Sequence, residues 1–255
     1  MIFAQPVRQS ALDPRTKLAM TVAVLIGSLG ASTWPGMLVT LGAVLTWSAA
    51  ARVPRQNLVR GLRAVRILFV FTLLFHALLG TGEPWFAWGP IAVTRSGVLK
   101  GIWMSMRLAL MVLAATVLTS TSSPLQLTQG LDAALAPLQR FGVPTREFTM
   151  IVGISLRFLP VLADEAKRIQ EAQMLRGVAH GSRSVAARIR SLVPVLVPLL
   201  GGALRRAEEL GEAMAARAYG PGSARTYLHP LHFTYVDAAV TIGSLAAGIA
   251  VAVWL

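Results

Sequence analysis

The hydrophobic residues of this chain are bunched into five long segments rather than spread along its length. The segments are Leu18–Ala31, Met37–Ala51, Ile67–Leu79, Val98–Thr119 and Ala238–Leu255. The last two approach the roughly 20 residues that a helix needs to cross a bilayer, and the first three must recruit flanking residues or lie tilted. Because lipid offers the backbone no hydrogen-bond partners, such spans fold as helices. The pattern predicts an all-α integral membrane protein with about five transmembrane helices.

The composition agrees with a membrane location. Charged residues make up 14% of the chain, whereas about 25% is usual for a soluble domain. The net charge of +13 would favour nucleic-acid binding in a polar protein, but in so apolar a chain the cations are better explained as anchors of cytoplasmic loops. Cysteine is absent, which excludes a disulfide framework and a thiolate metal site. We expect no cleaved signal peptide, since the first apolar run begins only at Leu18.

The cations also predict the orientation. If the N-terminus is cytoplasmic and the spans alternate, the loop between the second and third spans and everything between the fourth and fifth lie inside. The inside cations before the third span are Arg8, Arg15, Lys17, Arg52, Arg55, Arg60, Arg63 and Arg66. Arg95 is then the only cation of an outside loop, next to an interfacial cluster of Trp85, Phe86 and Trp88. The sequence therefore predicts a multi-pass protein of the cytoplasmic membrane with its N-terminus inside.

The stretch from Thr121 to Tyr235 differs in kind, because it holds most of the acidic residues and more than half of the cations. Apolar residues there recur at helical spacing. We expect three cytoplasmic helices, at about Pro124–Phe141, Thr145–Arg176 and Ser184–Arg217, the last kinked by Pro194 and Pro198. The predicted domains are residues 1–120 for transmembrane helices one to four, 121–235 for a cytoplasmic coupling region with two long crossing helices, and 236–255 for the last span.

Two apolar stretches in this region are not counted as spans. Phe148–Ala163 carries Arg157 and Pro160, and an arginine near the middle of a span is costly. Leu192–Ala203 is too short to cross the hydrocarbon.

A short pattern occurs twice in the coupling region. Glu171–Gly177 and Glu212–Ala218 share Glu, Ala and Arg at the same offsets, with a small residue after each arginine. Each copy closes an amphipathic helix, where a cation meets the negative end of the helix dipole and a small residue allows a left-handed cap. The simpler interpretation of the two copies is that both arginines only cap their own helices. The duplication favours the alternative, in which Arg176 and Arg217 project from helix ends into pockets on another protein.

These residues resemble a family. The two tripeptides centred on Arg176 and Arg217 resemble the Ala-Arg-Gly signatures of the transmembrane T component of energy-coupling-factor (ECF) transporters. The segments Leu12–Leu18 and Arg157–Pro160 also resemble that family, so that the likeness covers nearly the whole chain. The sequence departs from the signature at Leu175, where Ala is usual, and at Ala218, where Gly is usual.

The resemblance implies a coupling scaffold. It would tie a substrate-binding S component in the membrane to two cytoplasmic ATPases of the ABC type, for uptake of a vitamin or a trace metal such as cobalt. By the same resemblance the coupling residues are Leu175, Arg176, Gly177, Ala216, Arg217 and Ala218. The sequence itself supports one part of this implication. None of the three lysines follows a glycine, so the phosphate-binding loop of an ATPase is absent. We therefore expect a non-catalytic subunit without a cofactor.

Two other functions stay open at this point. The permease half of a conventional ABC importer also docks on ATPases, but through one coupling helix per chain, so that co-purification of one or two ATPases would distinguish the two. A self-contained secondary transporter would show broken helices and internal repeats of spans, and we see no such repeat.

A few polar residues invite separate interpretation. His229 and His232 have a spacing that can chelate a metal, but no third ligand is evident, so no metal site is predicted. His76 and Arg107 lie in predicted spans, where polar groups are often functional; we expect His76 to pack against a neighbouring helix and Arg107 to face the bundle interior or snorkel. Asp13 and Pro14 should cap the first span.

Overall fold

A computed structural model describes residues 12–80, 84–88, 91–136, 141, 145–176, 185–220 and 233–254. Nine helices and one two-stranded antiparallel hairpin form in this part of the chain. The elements are α1 Pro14–Gly30, α2 Trp34–Ala50, α3 Arg55–Ala64, α4 Arg66–Leu79, β1 Pro84–Trp88, β2 Ile91–Thr94, α5 Arg95–Thr121, α6 Pro124–Leu135, α7 Thr145–Leu175, α8 Val185–Ala216 and α9 Tyr235–Trp254.

The all-helical membrane class is confirmed. The five predicted apolar segments fall on α1, α2, α4, α5 and α9. By length and composition α5 and α9 can each cross a membrane, and α3 with α4 forms a third candidate that is bent by 51°. The helix α2 is apolar but shorter, so the number of five spans stays a prediction. Within the described residues, α7 and α8 do not meet the same test.

The structure adds a helix and a hairpin that the sequence did not predict, and α6 ends at Leu135 instead of extending to the predicted Phe141. The arginine-rich loop after the second span contains the helix α3, because Leu58 and Leu62 share one face and pack against the bundle core while the arginines stay exposed. The interfacial aromatic cluster lies on the β1–β2 hairpin, in which Trp88 pairs with Ile91 and Phe86 with Val93. The fold therefore places additional secondary structure on both sides of α4.

Small residues bring α1 and α9 into close, parallel contact. Ala23 and Gly27 of α1 face Gly248 of α9, and a Cβ built on Gly248 would lie 2.5 Å from the carbonyl oxygen of Ala23. The spacing of Ser244, Gly248 and Ala252 is the small-xxx-small pattern that lets membrane helices approach closely. The side chains of Val24, Val44, Trp47, Leu113, Ala114 and Val117 form an adjacent core between α1, α2 and α5.

The chain divides into two compact units. One contains residues 1–145 and 231–255, and the other contains residues 146–230. The first unit holds the membrane helices together with α6, which packs on α1 through Gly130 and Pro14. The second unit holds α7 and α8. The predicted helix bounds in this region agree with α7 and α8 to within one residue at each end.

Candidate functional site

The helices α7 and α8 run antiparallel beside each other, as contacts at three levels show. At one end the Gln173 side-chain amide lies 3.5 Å from the Pro194 carbonyl oxygen. Near the middle the Arg206 guanidinium lies 3.2 Å from the Glu165 carboxylate. At the other end the Tyr219 hydroxyl contacts the Met150 sulfur. As the residue number on α7 falls, its partner's number on α8 rises.

The two helices face each other across an open seam. The seam is lined by the apolar side chains of Ile154, Phe158, Leu159, Leu162, Ala203 and Leu210, each of which stays partly or largely exposed. The Arg206–Glu165 ion pair sits beside the seam with both side chains about one-third exposed, and ion pairs of that exposure contribute at most about 1 kcal/mol. The ion pair therefore contributes little to holding α7 against α8.

The antiparallel pairing puts Arg176 and Arg217 at opposite ends of the α7–α8 pair. Arg176 follows the last residue of α7, and Arg217 follows the last residue of α8, two residues before the contact of Tyr219 with Met150. The stretch of α7 from Met150 to Arg176 covers about 40 Å at the helical rise of about 1.5 Å per residue. The two predicted coupling arginines are not brought together; they form two separate tips.

The tip at Arg217 has a fully formed helix cap. The Tyr219 N–H donates to the Met214 carbonyl at 3.0 Å, and the Ala218 N–H donates to the Ala215 carbonyl at 2.9 Å. This is the Schellman arrangement. Ala218 takes the left-handed conformation that it requires, with φ of 57°. The prediction that a small residue after the arginine turns the backbone into a left-handed cap is confirmed here, even though the residue is not glycine.

The tip at Arg176 is described as far as the arginine. Leu175 is 91% exposed, and the Arg176 N–H still donates to the carbonyl oxygens of Ala172 and Gln173. Gly177, the remaining member of the predicted set, lies outside the described residues. Both arginines are exposed, as are Ala216 and Ala218. Neither guanidinium forms an ion pair with a residue that the structure describes.

An apolar surface on α8 was missed by the sequence analysis. Val193, Val197, Leu200 and Leu204 recur at intervals of four, three and four residues, and each is between 52% and 65% exposed. We name these four residues the α8 stripe. Their helical spacing was visible in the sequence, but the surrounding apolar stretch drew attention only as a possible span. An exposed apolar stripe of this kind marks a surface that another protein or lipid covers.

The other polar residues that the sequence singled out are placed as follows. Arg107 donates to the Ala31 carbonyl oxygen at 2.9 Å and so caps the end of α1. His76 contacts the Thr72 carbonyl oxygen of its own helix at 2.8 Å. His229 and His232 lie outside the described residues. Among the residues that are described, no three histidine, aspartate or glutamate side chains gather as metal ligands.

Comparison with known proteins places this architecture in a family. Residues 8–228 match the CbiQ family, which is described as cobalt transport protein. The chain is 40% identical to the energy-coupling factor transporter transmembrane protein EcfT of Heliobacterium modesticaldum over 95% of this chain and 91% of that protein. It is 37% identical to the protein of the same name in Bacillus subtilis, over 91% of this chain and 88% of that protein. The chain therefore belongs to the CbiQ family, as a transmembrane component of the energy-coupling factor type and not an enzyme.

Proposed function

We propose that this chain is the scaffold that links two cytoplasmic ABC-type ATPases to a membrane-embedded S component during uptake of a vitamin or a trace metal ion. Arg176 enters a pocket on one ATPase, and Arg217 enters the matching pocket on the other. Leu175, Gly177, Ala216 and Ala218 shape the backbone on either side of the two arginines. Hydrolysis of ATP takes place in the partners.

The observation that carries the proposal is the placement of the two arginines. They sit on exposed helix ends about 40 Å apart along one antiparallel pair, a separation that lets two partner proteins dock without competing for the same surface. Each guanidinium extends from a helix C-terminus and has no ion-pair partner within the described residues. An arginine that meets a carboxylate in a partner's pocket forms charge-assisted hydrogen bonds.

The α8 stripe is the proposed contact for the S component. A membrane-embedded partner offers apolar side chains, and the stripe offers four that are each more than half exposed. The α7–α8 unit thus has separate surfaces for its proposed partners: charged tips for the ATPases and an apolar side for the S component. The cytoplasmic side of the unit, and of the N-terminus, follows from the distribution of cations.

The test is co-purification of the ATPase subunits with tagged chain from membranes. We expect Arg176→Ala and Arg217→Ala each to weaken retention of one ATPase, since removal of one partner of a buried charge pair costs about 2–5 kcal/mol, or roughly 30-fold to 5000-fold in affinity. The double variant should lose both subunits.

Matched controls exist on the same helices. Arg168 of α7 and Arg205 of α8 are exposed cations away from the helix ends, and their replacement by alanine should leave retention unchanged. If the double Arg176/Arg217 variant retained both ATPases and supported uptake at the normal rate, the proposed role of the tips would be wrong.

A further inference from the structure

The α7–α8 unit is joined to the membrane unit by two stretches of backbone. The chain enters the unit after α6 and leaves it before α9. Any movement that ATPases impose on α7 and α8 must reach the membrane helices through these connections or through non-covalent contacts. The structure of the membrane unit shows which contacts hold the helices that flank the two connections.

The exit connection is fastened at Asp237, in the first turn of α9. One carboxylate oxygen of Asp237 accepts from the Thr234 N–H at 3.1 Å and so caps the start of α9. The other oxygen accepts from the Asp13 N–H at 3.1 Å and from the Thr16 hydroxyl at 3.2 Å. Asp237 is only 3% exposed. A single buried carboxylate therefore serves the N-terminal ends of two parallel helices, where a negative charge is favourable.

On the entry side, Lys17 of the same helical turn holds the end of α5, the helix that precedes α6. The Lys17 ammonium donates to the Thr121 carbonyl oxygen at 2.9 Å, at the last residue of α5. Lys17 is also 3% exposed, and a cation there satisfies the negative end of α5. Directly after it, Ser123 and Gln126 form a capping box that starts α6, and α6 packs through Gly130 on Pro14.

We propose that residues Asp13–Lys17, which we call the anchor turn, form the joint through which movements of the α7–α8 unit reach the membrane helices. Asp237, Thr16 and Lys17 are positioning residues of this joint. The inference rests on the proposed function, since it presupposes ATPases that act on α7 and α8. Its basis is that the start of α9 and the end of α5 are both held by buried, directional hydrogen bonds to one helical turn, and that α6, the last helix before the unit, packs on the same turn.

The remainder of the membrane bundle does not depend on these bonds for its packing. Closer to the other end of α1, Ala23 and Gly27 pack against Gly248 without polar contacts, and the apolar core around Trp47 and Val117 lies between α1, α2 and α5. Loosening the anchor turn should therefore leave an assembled bundle whose response to the ATPases is weakened.

The experiment measures hydrogen–deuterium exchange of the complete complex in lipid nanodiscs. Exchange is compared between the ADP state and the state trapped with Mg-ATP and vanadate, and the difference between the two states is the readout. In the unmodified complex we expect a nucleotide-dependent difference both in α7–α8 and in peptides of α1, α2 and α5. Exchange reports local opening. A substitution that only loosens the structure should therefore raise exchange equally in the ADP state and in the vanadate-trapped state, and the difference between the two states should remain.

Three variants weaken the anchor turn in separate ways. Asp237→Asn keeps the shape but gives up the charge and one acceptor, Thr16→Val removes a single hydroxyl, and Lys17→Met removes the donor to Thr121. We expect the difference in α1, α2 and α5 to be lost while the difference in α7–α8 and the bound ATPases are retained. Thr16→Val decides the matter if the two charge variants fail to assemble.

The control is Gly248→Ala, which disturbs α1–α9 packing away from the anchor turn and should preserve the difference. The inference is overturned if all assembled anchor-turn variants keep the full response, or if Gly248→Ala loses it equally. If the unmodified chain does not bind ATPases at all, the proposed function fails instead, which distinguishes the two failures.

Discussion

The Gln173 side-chain amide of α7 lies 3.5 Å from the Pro194 carbonyl oxygen of α8, and this carbonyl lacks its usual helical donor. In an uninterrupted helix it would accept from the N–H of residue 198, but that residue is Pro198 and carries no N–H. Pro198 thus removes the usual donor to this carbonyl, and the neighbouring helix supplies a side-chain amide three residues before Arg176. The contact links the Arg176 end of α7 to α8.

Replacing Gln173 by leucine should loosen this end. Leucine removes the side-chain donor to the Pro194 carbonyl, and we expect the local free energy of opening of α7–α8 to fall by about 1 kcal/mol. Hydrogen exchange of the peptides at residues 170–176 and 192–200 measures it.

A second substitution checks the cause. Pro198→Ala restores the missing helical N–H, so that Gln173→Leu should have a much smaller effect in the Pro198→Ala background than in the unmodified chain. Equal effects in both backgrounds would mean that Gln173 acts through something other than the open carbonyl of Pro194.

The left-handed backbone conformation of Ala218 predicts that a glycine substitution would stabilise the Arg217 tip. A non-glycine residue in the left-handed region costs roughly 1–2 kcal/mol, and Ala218 is held there with φ of 57°. Ala218→Gly should therefore slow exchange of the last turn of α8 by stabilising the cap by about 1 kcal/mol. Ala216→Gly, two residues earlier and inside the helix, should have the opposite sign. The cap account is wrong if both substitutions destabilise the turn.

Two glycines of α9 offer a matched test of membrane-helix packing. A Cβ at Gly248 would lie 2.5 Å from the backbone carbonyl oxygen of Ala23, whereas a Cβ at Gly243 would meet nothing within 4 Å. We expect Gly248→Ala to lower the melting temperature in detergent, with a cost of about 1–3 kcal/mol. Gly243→Ala should leave the temperature unchanged or raise it, because alanine favours the helix. Equal effects at both positions would contradict the packing.

Local signals predicted α7 and α8 well. The bounds of α7 and α8 followed from helical spacing and from the small residues after Arg176 and Arg217, and Asp13 caps α1 as expected by accepting from the Arg15 N–H at 2.9 Å. Such features depend on residues within one or two turns of each other. All the residues that determine such a feature therefore lie within one short segment of the sequence.

Long-range relationships were not predictable in the same way. The contact between Asp13 and Asp237 joins residues 224 apart, and neither residue carries a local sign of the other. The same holds for the antiparallel register that separates Arg176 from Arg217, because helical spacing fixes which face is apolar but not which partner it meets. The helix α3 was overlooked for a different reason: its many arginines hid an apolar face of only two or three leucine and valine side chains.

Site-directed cross-linking tests the two-tip account most directly. The chain has no cysteine, so Met174→Cys and Ala215→Cys each introduce a single thiol at an exposed position two residues before a tip arginine. Each thiol can carry a photoactivatable cross-linker in the assembled complex while Arg176 and Arg217 stay in place. We predict that each position cross-links to an ATPase subunit, and that a chain with both cysteines captures two subunits at once, whereas Arg168→Cys and Arg205→Cys capture neither. Cross-links from the two control positions but none from positions 174 and 215 would contradict the account.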